Sequence, residues 1–308
     1  MKYIIWQAKK VLPSSFSVII LLTVLFSTSA FSQSGPDLFS ISTTGKGKNL
    51  ALDLPSLDQL TDRREYDSQP NFINEYQMVF SAADDTGNHD IIVYNFESKK
   101  FTNLSKTADR GEFSPTITDC GQYISAVVLE EDGTQKLWLY PTNFEPAELL
   151  YDDIEPVGYY DWYNNKAAMF LLGEPNQLVY ANGRDDIWTL DSNIGRSIKT
   201  RPMSSEIGYL SVNNSREDKE GQALGFMLYD LEKREMTQSF HGLPGSQDFI
   251  WLDKNTILMA LDNEIFLRNI KKEDWISLGT ISSATHQNIT RMAYSPDLEL
   301  LIFAMNRK

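Results

Sequence analysis

Short runs of alternating apolar and polar residues recur along most of the chain, separated by turn residues. The clearest unit covers residues 115–140: an apolar strand, a turn at Cys120-Gly121, the strand YISAVVL, a second turn EEDG and a third strand KLWLY. Alternation of this kind is typical of β-strands, and Asp, Asn and Gly supply the positive-φ positions that tight hairpins need. The pattern therefore predicts antiparallel hairpins rather than helices.

The same unit repeats at a regular spacing. When the first hairpin turn of each unit is used as a marker, the intervals are 40 to 49 residues, close to the ~40 to 50 residues of a propeller blade. The marker positions are Glu75, Gly121, Asn165, Ser205, Lys254 and Leu298. Six turns predict six blades, and the nearly continuous apolar strands fit sheets that pack face to face around an axis.

The two ends of the chain carry complementary halves of a repeat. Residues 289–305 form two strand-like runs around an SPD turn, and residues 37–54 contain two more before the first full unit. A ring leaves only short, protected sheet edges, whereas an open stack of sheets would expose its end faces. We therefore predict an all-β, six-bladed β-propeller of four-stranded antiparallel blades, whose N-terminal strands complete the C-terminal blade as its outer pair.

Residues 1–32 have the composition of a secretory signal peptide. They carry three lysines and no acidic residue, and their apolar core, residues 16–26, is shorter than the ~18 to 20 residues that span a bilayer. Small residues follow, so we expect cleavage after Ala30 or Ser32. The mature protein would then be one propeller domain, residues 33–308, in the periplasm or secreted, with no membrane span.

The chain is strongly acidic. Its formal net charge is −14, and it becomes −17 when residues 1–32 and their three lysines are removed. Such a surface repels phosphate backbones and anionic lipids, so we expect neither nucleic acid nor a membrane surface as a partner. Cys120 is the only cysteine, which excludes an internal disulfide. We expect a monomer.

The repeats resemble those of TolB-like six-bladed propellers built from PD40 (WD40-like) repeats, whose central phrase is close to P-x-W-S-P-D-G-K-x-I-A-F. The best matches are residues 293–304, AYSPDLELLIFA, and residues 114–127, SPTITDCGQYISAV. The third and fourth units lack an SPDG, and Cys120 stands where the repeat usually has Asp. The resemblance covers residues 35–308. It implies the fold and says little about activity, because propellers support many functions.

The sequence carries no strong catalytic or metal-binding motif. His89, His241 and His286 share no metal-ligand spacing, and neither G-x-S-x-G nor H-E-x-x-H occurs. Residues 84–90, DDTGNHD, look like a calcium loop but lack the later bidentate Glu, so we interpret them as a hairpin turn. A Ser-His-Asp triad would need a histidine at the channel mouth, and His286 alone lies in a suitable inter-blade loop. We therefore expect no cofactor.

Position in the predicted ring is a better guide to ligand residues. The inner strand of each blade lines the central channel, and the loops that enter these strands form the usual ligand face of a propeller. The polar residues at or just before the inner-strand starts are Asp67, Gln69, Glu112, Tyr159, Tyr160, Arg196, Asp248 and Arg291. They predict a pocket for a carboxylate, a cation or a peptide terminus, with the two arginines as anion donors. Alternatively, these charges pair with one another and seal a water-filled channel.

Two classes of function remain open. Complete repeats without an inserted catalytic segment favour an exported, non-catalytic propeller that binds a protein or peptide partner in the cell envelope. The alternative is a channel-mouth hydrolase of the lactonase or esterase kind. A calcium-dependent version of that enzyme would use Asp67, Glu112 and Asp248 as metal ligands.

Overall fold

The alternating segments of the sequence form β-strands that assemble into six antiparallel sheets in the described part of the chain. The computed structural model describes residues 34–308 except residues 144, 220 and 273. The predicted signal peptide, residues 1–32, lies outside the described residues. Within the described part, no helix is both long enough and apolar enough to cross a membrane.

The first three strands are β1 (Asp37–Thr44), β2 (Ala51–Leu52) and β3 (Asp58–Gln59). Blade 1 consists of β4 (Asp67–Asn74), β5 (Gln77–Ala83), β6 (His89–Asn95) and β7 (Lys100–Asn103). Blade 2 consists of β8 (Gly111–Ile117), β9 (Tyr123–Leu129), β10 (Gln135–Pro141) and β11 (Glu148–Leu149). Blade 3 consists of β12 (Val157–Tyr163), β13 (Lys166–Leu171), β14 (Gln177–Gly183) and β15 (Asp186–Ser192).

Blade 4 consists of β16 (Ile194–Thr200), β17 (Glu206–Asp218), β18 (Gly221–Asp230) and β19 (Glu235–His241). Blade 5 consists of β20 (Phe249–Asp253), β21 (Thr256–Leu261), β22 (Glu264–Asn269) and β23 (Ile276–Thr280). The last two strands, β24 (His286–Ser295) and β25 (Leu300–Arg307), join β1, β2 and β3 in the closing blade. The predicted six-bladed propeller is confirmed.

The first strand of each blade is the innermost. Neighbouring strands in the sheets follow chain order, and β4 packs against both β8 and β24, the first strands of the blades on either side. The connections between blades and the middle hairpin turns therefore share one end of the ring, which we call the entry face. The first and third hairpin turns share the opposite face. All six marker turns lie between the first and second strands of their blades, as predicted.

The ring closes through β1, which pairs with β25 from Asp37 opposite Met305 to Ser42 opposite Leu300. The outer strand differs from the prediction, which expected one continuous strand near residues 48–54. Instead, β2 and β3 are two-residue strands that pair with opposite ends of β1. A turn of 3-10 helix, Leu54–Ser56, separates them and contains Pro55, which cannot donate a ladder hydrogen bond.

A buried polar cluster reinforces this closure. Asp37 is fully buried and accepts hydrogen bonds from the backbone N–H of Arg63 at 3.1 Å and from Arg307 Nη2 at 2.5 Å. Its Oδ2 lies 2.8 Å from His286 Nε2. Buried carboxylates require such partners. His286 is therefore a buried residue of β24 engaged in ring closure, not the exposed loop histidine that a catalytic triad would need.

The apolar core is divided among the junctions between blades. Each of six clusters contains side chains from two adjacent sheets, for example Val79 and Ile124 between blades 1 and 2, and Leu38 and Phe80 between the closing blade and blade 1. Face-to-face packing of this kind is the reason that the strands are apolar on both sides. It also leaves the polar residues of the inner strands to face the axis.

Candidate functional site

Six of the predicted ligand residues line one cavity in the central channel. The cavity has a volume of about 80 Å³, and a neighbouring one of about 200 Å³ lies between blade 5 and the closing blade at the entry face. Cavities of this size admit water or a group as small as a carboxylate, but no large ligand. The six residues are Gln69, Tyr159, Tyr160, Arg196, Asp248 and Arg291.

Two arginines from different blades hold one carboxylate. Arg196 Nε donates to Asp248 Oδ2 at 3.0 Å, and Arg291 Nη1 donates to the same oxygen at 2.8 Å. Both guanidinium groups also donate to the backbone carbonyl of Thr290, at 3.4 and 2.9 Å. Burial opposes the charged form of Arg196, but the Asp248 carboxylate outweighs it and raises the Arg196 pKa. Arg196 therefore acts as a permanent cation.

The cavity keeps an excess of positive charge. Two guanidinium groups face the one carboxylate of Asp248, and the Arg291 guanidinium carbon lies 5.6 Å from the ring centroid of Tyr159. Lys199 also lines the cavity, but its charge interacts with the carboxyl group of Asp161. Among the described residues, none accepts a hydrogen bond from Arg196 Nη1 or Arg291 Nη2. The predicted pairing of charges is therefore present but incomplete. What remains is a set of guanidinium donors suited to a further anion.

Irregularities in the inner strands position these side chains. The pairing register shifts near the start of five inner strands, β4, β8, β12, β16 and β24. A bulge bends the strand and redirects the side chains beside it. At three of the shifts a non-glycine residue takes a positive φ, 61° at Gln69, 53° at Ser114 and 57° at Asn288. The shifts lie at or next to Gln69, Ser114, Tyr159, Arg196 and Arg291.

The other two predicted residues, Asp67 and Glu112, do not line this cavity. Asp67 is fully buried and accepts a hydrogen bond from Arg63 Nε at 3.0 Å. Glu112 is fully buried and accepts hydrogen bonds from Thr107 Oγ1 at 2.7 Å and from the Tyr140 hydroxyl at 2.8 Å. Burial raises the pKa of both carboxyls, partly offset by these donors. Their surroundings favour a structural role.

The calcium ligand set that the hydrolase alternative needs is not assembled. Asp67, Glu112 and Asp248 each bind different neighbours. Across residues 34–308, apart from residues 144, 220 and 273, no group of three His, Cys, Asp or Glu side chains is placed to hold a metal ion. Calcium prefers several oxygen ligands around one point. The expected ligand set is therefore corrected: these carboxylates do not meet.

Lys199 is a cavity residue that the sequence analysis missed. The predicted ligand residues all lie near the starts of the inner strands, whereas Lys199 lies near the end of β16. In a regular strand, residues three apart point to opposite faces, so alternation alone would separate Lys199 from Arg196. The register shift in β16 between Ile194 and Ile198 removes that constraint. A cationic side chain anywhere along an inner strand would have been the signal to consider.

Comparison with known proteins supports the fold. A putative TolB from Agrobacterium tumefaciens superposes with a TM-score of 0.63 at 9% identity, covering 88% of this chain and 99% of that one. TolB from Acinetobacter baumannii gives 0.54 at 8% identity, covering 88% and 64%. A structure of a nidogen/laminin complex gives 0.54 at 10% identity, covering 77% and 90%.

No protein-family model matches the sequence, and no curated protein matches it. At identities this low, similarity to solved structures shows the fold alone. The chain is thus a β-propeller with the blade arrangement of TolB-like propellers.

Proposed function

We propose that this protein is an exported, non-catalytic propeller of PD40-type repeats that binds a protein or peptide partner in the cell envelope. In this proposal, a carboxylate of the partner, from an acidic side chain or a chain terminus, enters the channel from the entry face. Arg196 and Arg291 receive it beside Asp248. The signal-like composition of residues 1–32 supports export, and the SPD turn of residues 295–297 supports the PD40 assignment.

The free donors of the two arginines carry this proposal. Arg196 Nη1 and Arg291 Nη2 have no acceptor among the described residues. Each is a charged N–H donor of the kind that forms strong hydrogen bonds with carboxylates. The two cavities next to the arginines exclude a large ligand but admit one carboxylate, and the larger cavity of about 780 Å³ lies at the opposite face of the ring. A protruding group of a larger partner, rather than a free metabolite, fits that restriction.

The negative charge of the entry face also restricts which partners can bind. Its middle hairpin turns in blades 1 to 3 are acidic, whereas the arginines are recessed in the channel. A partner with basic residues flanking an inserted carboxylate would complement both regions. The exposed or half-exposed acidic residues in these turns are Asp84, Asp85, Glu130, Glu131, Asp132 and Glu174.

An affinity pull-down from the envelope fraction tests this function. The wild-type protein should retain a partner that the double variant Arg196→Gln/Arg291→Gln loses, because the variant lacks both cations. The matched control, Arg64→Gln/Arg184→Gln, removes two exposed arginines and should retain the partner. N-acetylglycine, a free carboxylate, should release the partner, and N-acetylglycinamide should not.

Three outcomes of these experiments would contradict the proposed function. Equal retention by the wild type and by Arg196→Gln/Arg291→Gln would overturn the role of the arginines. Release by N-acetylglycinamide at the same concentration as N-acetylglycine would overturn recognition of a carboxylate. Turnover of an ester or lactone by the purified protein would overturn the non-catalytic assignment.

A further inference from the structure

A second cavity lies away from the channel, between the closing blade and blade 1. Its volume is about 380 Å³. One wall is the irregular segment of residues 60–63, which follows β3, and the other is the face of β5, β6 and β7. Volumes of ~300 to 1,000 Å³ are typical of small-molecule sites, and such sites often lie where two structural units meet.

The incomplete outer edge of the closing blade explains this cavity. Blade 1 has a four-residue outer strand, β7, but the closing blade offers only β3, which has two residues, before the chain turns towards blade 1. The apolar face of blade 1 is therefore only partly covered. Phe101 on β7 remains 48% exposed, although Phe80 beside it is buried.

The cavity has an apolar floor. Phe80, Ile92 and Phe101 come from three adjacent strands of blade 1, and Leu60 faces them from the other wall. The ring centroids of Phe80 and Phe101 lie 6.1 Å apart at nearly a right angle. An aromatic or branched aliphatic group would find apolar contacts there on both sides.

The rim of the cavity is acidic. Asp62, Asp84 and Asp90 line it. Its one lining cation, Arg63, is bound to the buried Asp67, and Asp62 Oδ1 accepts a hydrogen bond from Arg307 Nη2 at 2.7 Å. Asp84 uses Oδ1 for hydrogen bonds from the backbone N–H groups of Thr86 and Asn88, at 2.8 and 3.0 Å. No described residue donates to Asp84 Oδ2. Asp90 differs, because both of its oxygens accept hydrogen bonds from neighbouring side chains.

We propose that this cavity binds a small organic cation with an apolar body. The body, of the size of an aromatic ring, would pack against Phe80, Ile92 and Phe101, and the ammonium group of the ligand would face Asp84 Oδ2. The carboxylates select a cation over an anion of the same shape. This site is independent of the arginine pair in the channel. Because it bridges the closing blade and blade 1, its occupation would stabilise the closed ring.

Three small probes test the chemistry. 2-Phenylethylammonium carries both the ring and the charge, 3-phenylpropionate carries the ring with the opposite charge, and ethylammonium carries the charge alone. Titration followed by ligand-observed NMR should show saturable binding of the first, with the other two at least about tenfold weaker, and only the first should raise the melting temperature. Equal affinity for all three probes would overturn the proposal.

Two pairs of variants locate the site. Asp84→Asn keeps the oxygen that organises its turn but removes the charge, and it should weaken 2-phenylethylammonium by about fivefold, as expected for one partly exposed ion pair. Asp132→Asn is the matched control, since Asp132 Oδ1 accepts hydrogen bonds from the backbone N–H and the hydroxyl of Thr134, as Asp84 Oδ1 does from Thr86, in a turn of blade 2 away from the cavity. Equal weakening by both variants would show a general charge effect and overturn the site.

A second pair of variants tests the apolar floor of the cavity. Phe101→Ala should weaken the same probe several-fold, whereas Ile187→Ala, which truncates a side chain of similar exposure on β15, should leave its affinity unchanged. Both changes lie at exposed positions, so both variants should fold. Unchanged affinity in Phe101→Ala would overturn the proposed contacts.

Discussion

At the residue scale, the candidate site depends on side chains that share a partner. Arg196 and Arg291 come from blades separated by almost a hundred residues, yet both donate to Asp248 Oδ2. One carboxylate cannot neutralise two guanidinium groups, so the cluster keeps a positive charge inside an acidic protein. That imbalance, rather than the presence of arginine as such, makes the channel a candidate anion site.

Glu112 provides a residue-scale prediction with a defined dependence on pH. Burial raises its pKa in the folded protein above the ordinary value of 4.5. The folded state therefore holds this proton to higher pH than the unfolded chain does. The stability that Glu112 contributes is fully present below pH 4.5 and is lost as pH rises through the raised pKa.

Glu112→Gln removes this titration. The melting temperature of the variant minus that of the wild type should therefore increase between about pH 4 and about pH 7. Calorimetry across that range would measure it, with the exposed Glu174→Gln as the control, for which we expect a much smaller change. A pH-independent difference for Glu112→Gln would show that the burial of this carboxylate has no energetic consequence.

At the element scale, β1 does more than complete a sheet. It is buried along most of its length, and it connects the first strands of the chain to β25, the last. The outer edge beyond it consists only of the short strands β2 and β3. Ring closure therefore depends on one strand pairing, on the apolar side chains of β1 and on the Asp37 cluster.

Ile41→Ala tests the contribution of β1. Ile41 is fully buried in the cluster between blade 5 and the closing blade, so its truncation should lower the free energy of unfolding by about 2 to 4 kcal/mol. Ile276→Ala is the same change at a 53% exposed position on β23 and should cost less than about 1 kcal/mol. Denaturant titration would compare the two variants. Equal losses would mean that β1 is not critical for closure.

At the scale of the whole molecule, net charge opposes the closed ring. The chain carries a formal charge of −14. The middle hairpin turns of three neighbouring blades place acidic residues together on the entry face. Self-repulsion of this kind destabilises compact states and is screened by salt. The electrostatics of the whole molecule and those of the channel therefore have opposite signs.

The melting temperature should rise by a few degrees when KCl increases from about 10 mM to about 300 mM, because screening weakens this repulsion. Differential scanning calorimetry would measure the change. Arg196→Gln/Arg291→Gln should show a similar rise, since the effect belongs to the whole surface. A fall with added salt would instead mean that local ion pairs, such as those of Arg196 and Arg291, dominate the electrostatic stability.

Most of the fold could be predicted from the sequence. The partners of the charged side chains at the candidate site could not. The turns marked by Asn165 and Lys254 lie where the repeat spacing predicted them, because local turn chemistry and alternation are properties of short segments. Asp67 and Glu112 also start inner strands, as Arg196 does, but they turn into the protein towards Arg63 and Tyr140. The local sequence pattern does not distinguish a side chain that lines the channel from one that points into the protein.

The sequence by itself determined the blade count, the order of the strands and the closure of the ring by its two ends, since each of these follows from hydrophobic alternation and repeat spacing. Only the tertiary structure decided which charges meet. Bulges redirect side chains such as Arg196 and Arg291, and two short strands replace the expected outer strand of the closing blade. Which charges meet depends on contacts between blades that are distant in sequence, and no local pattern records such contacts.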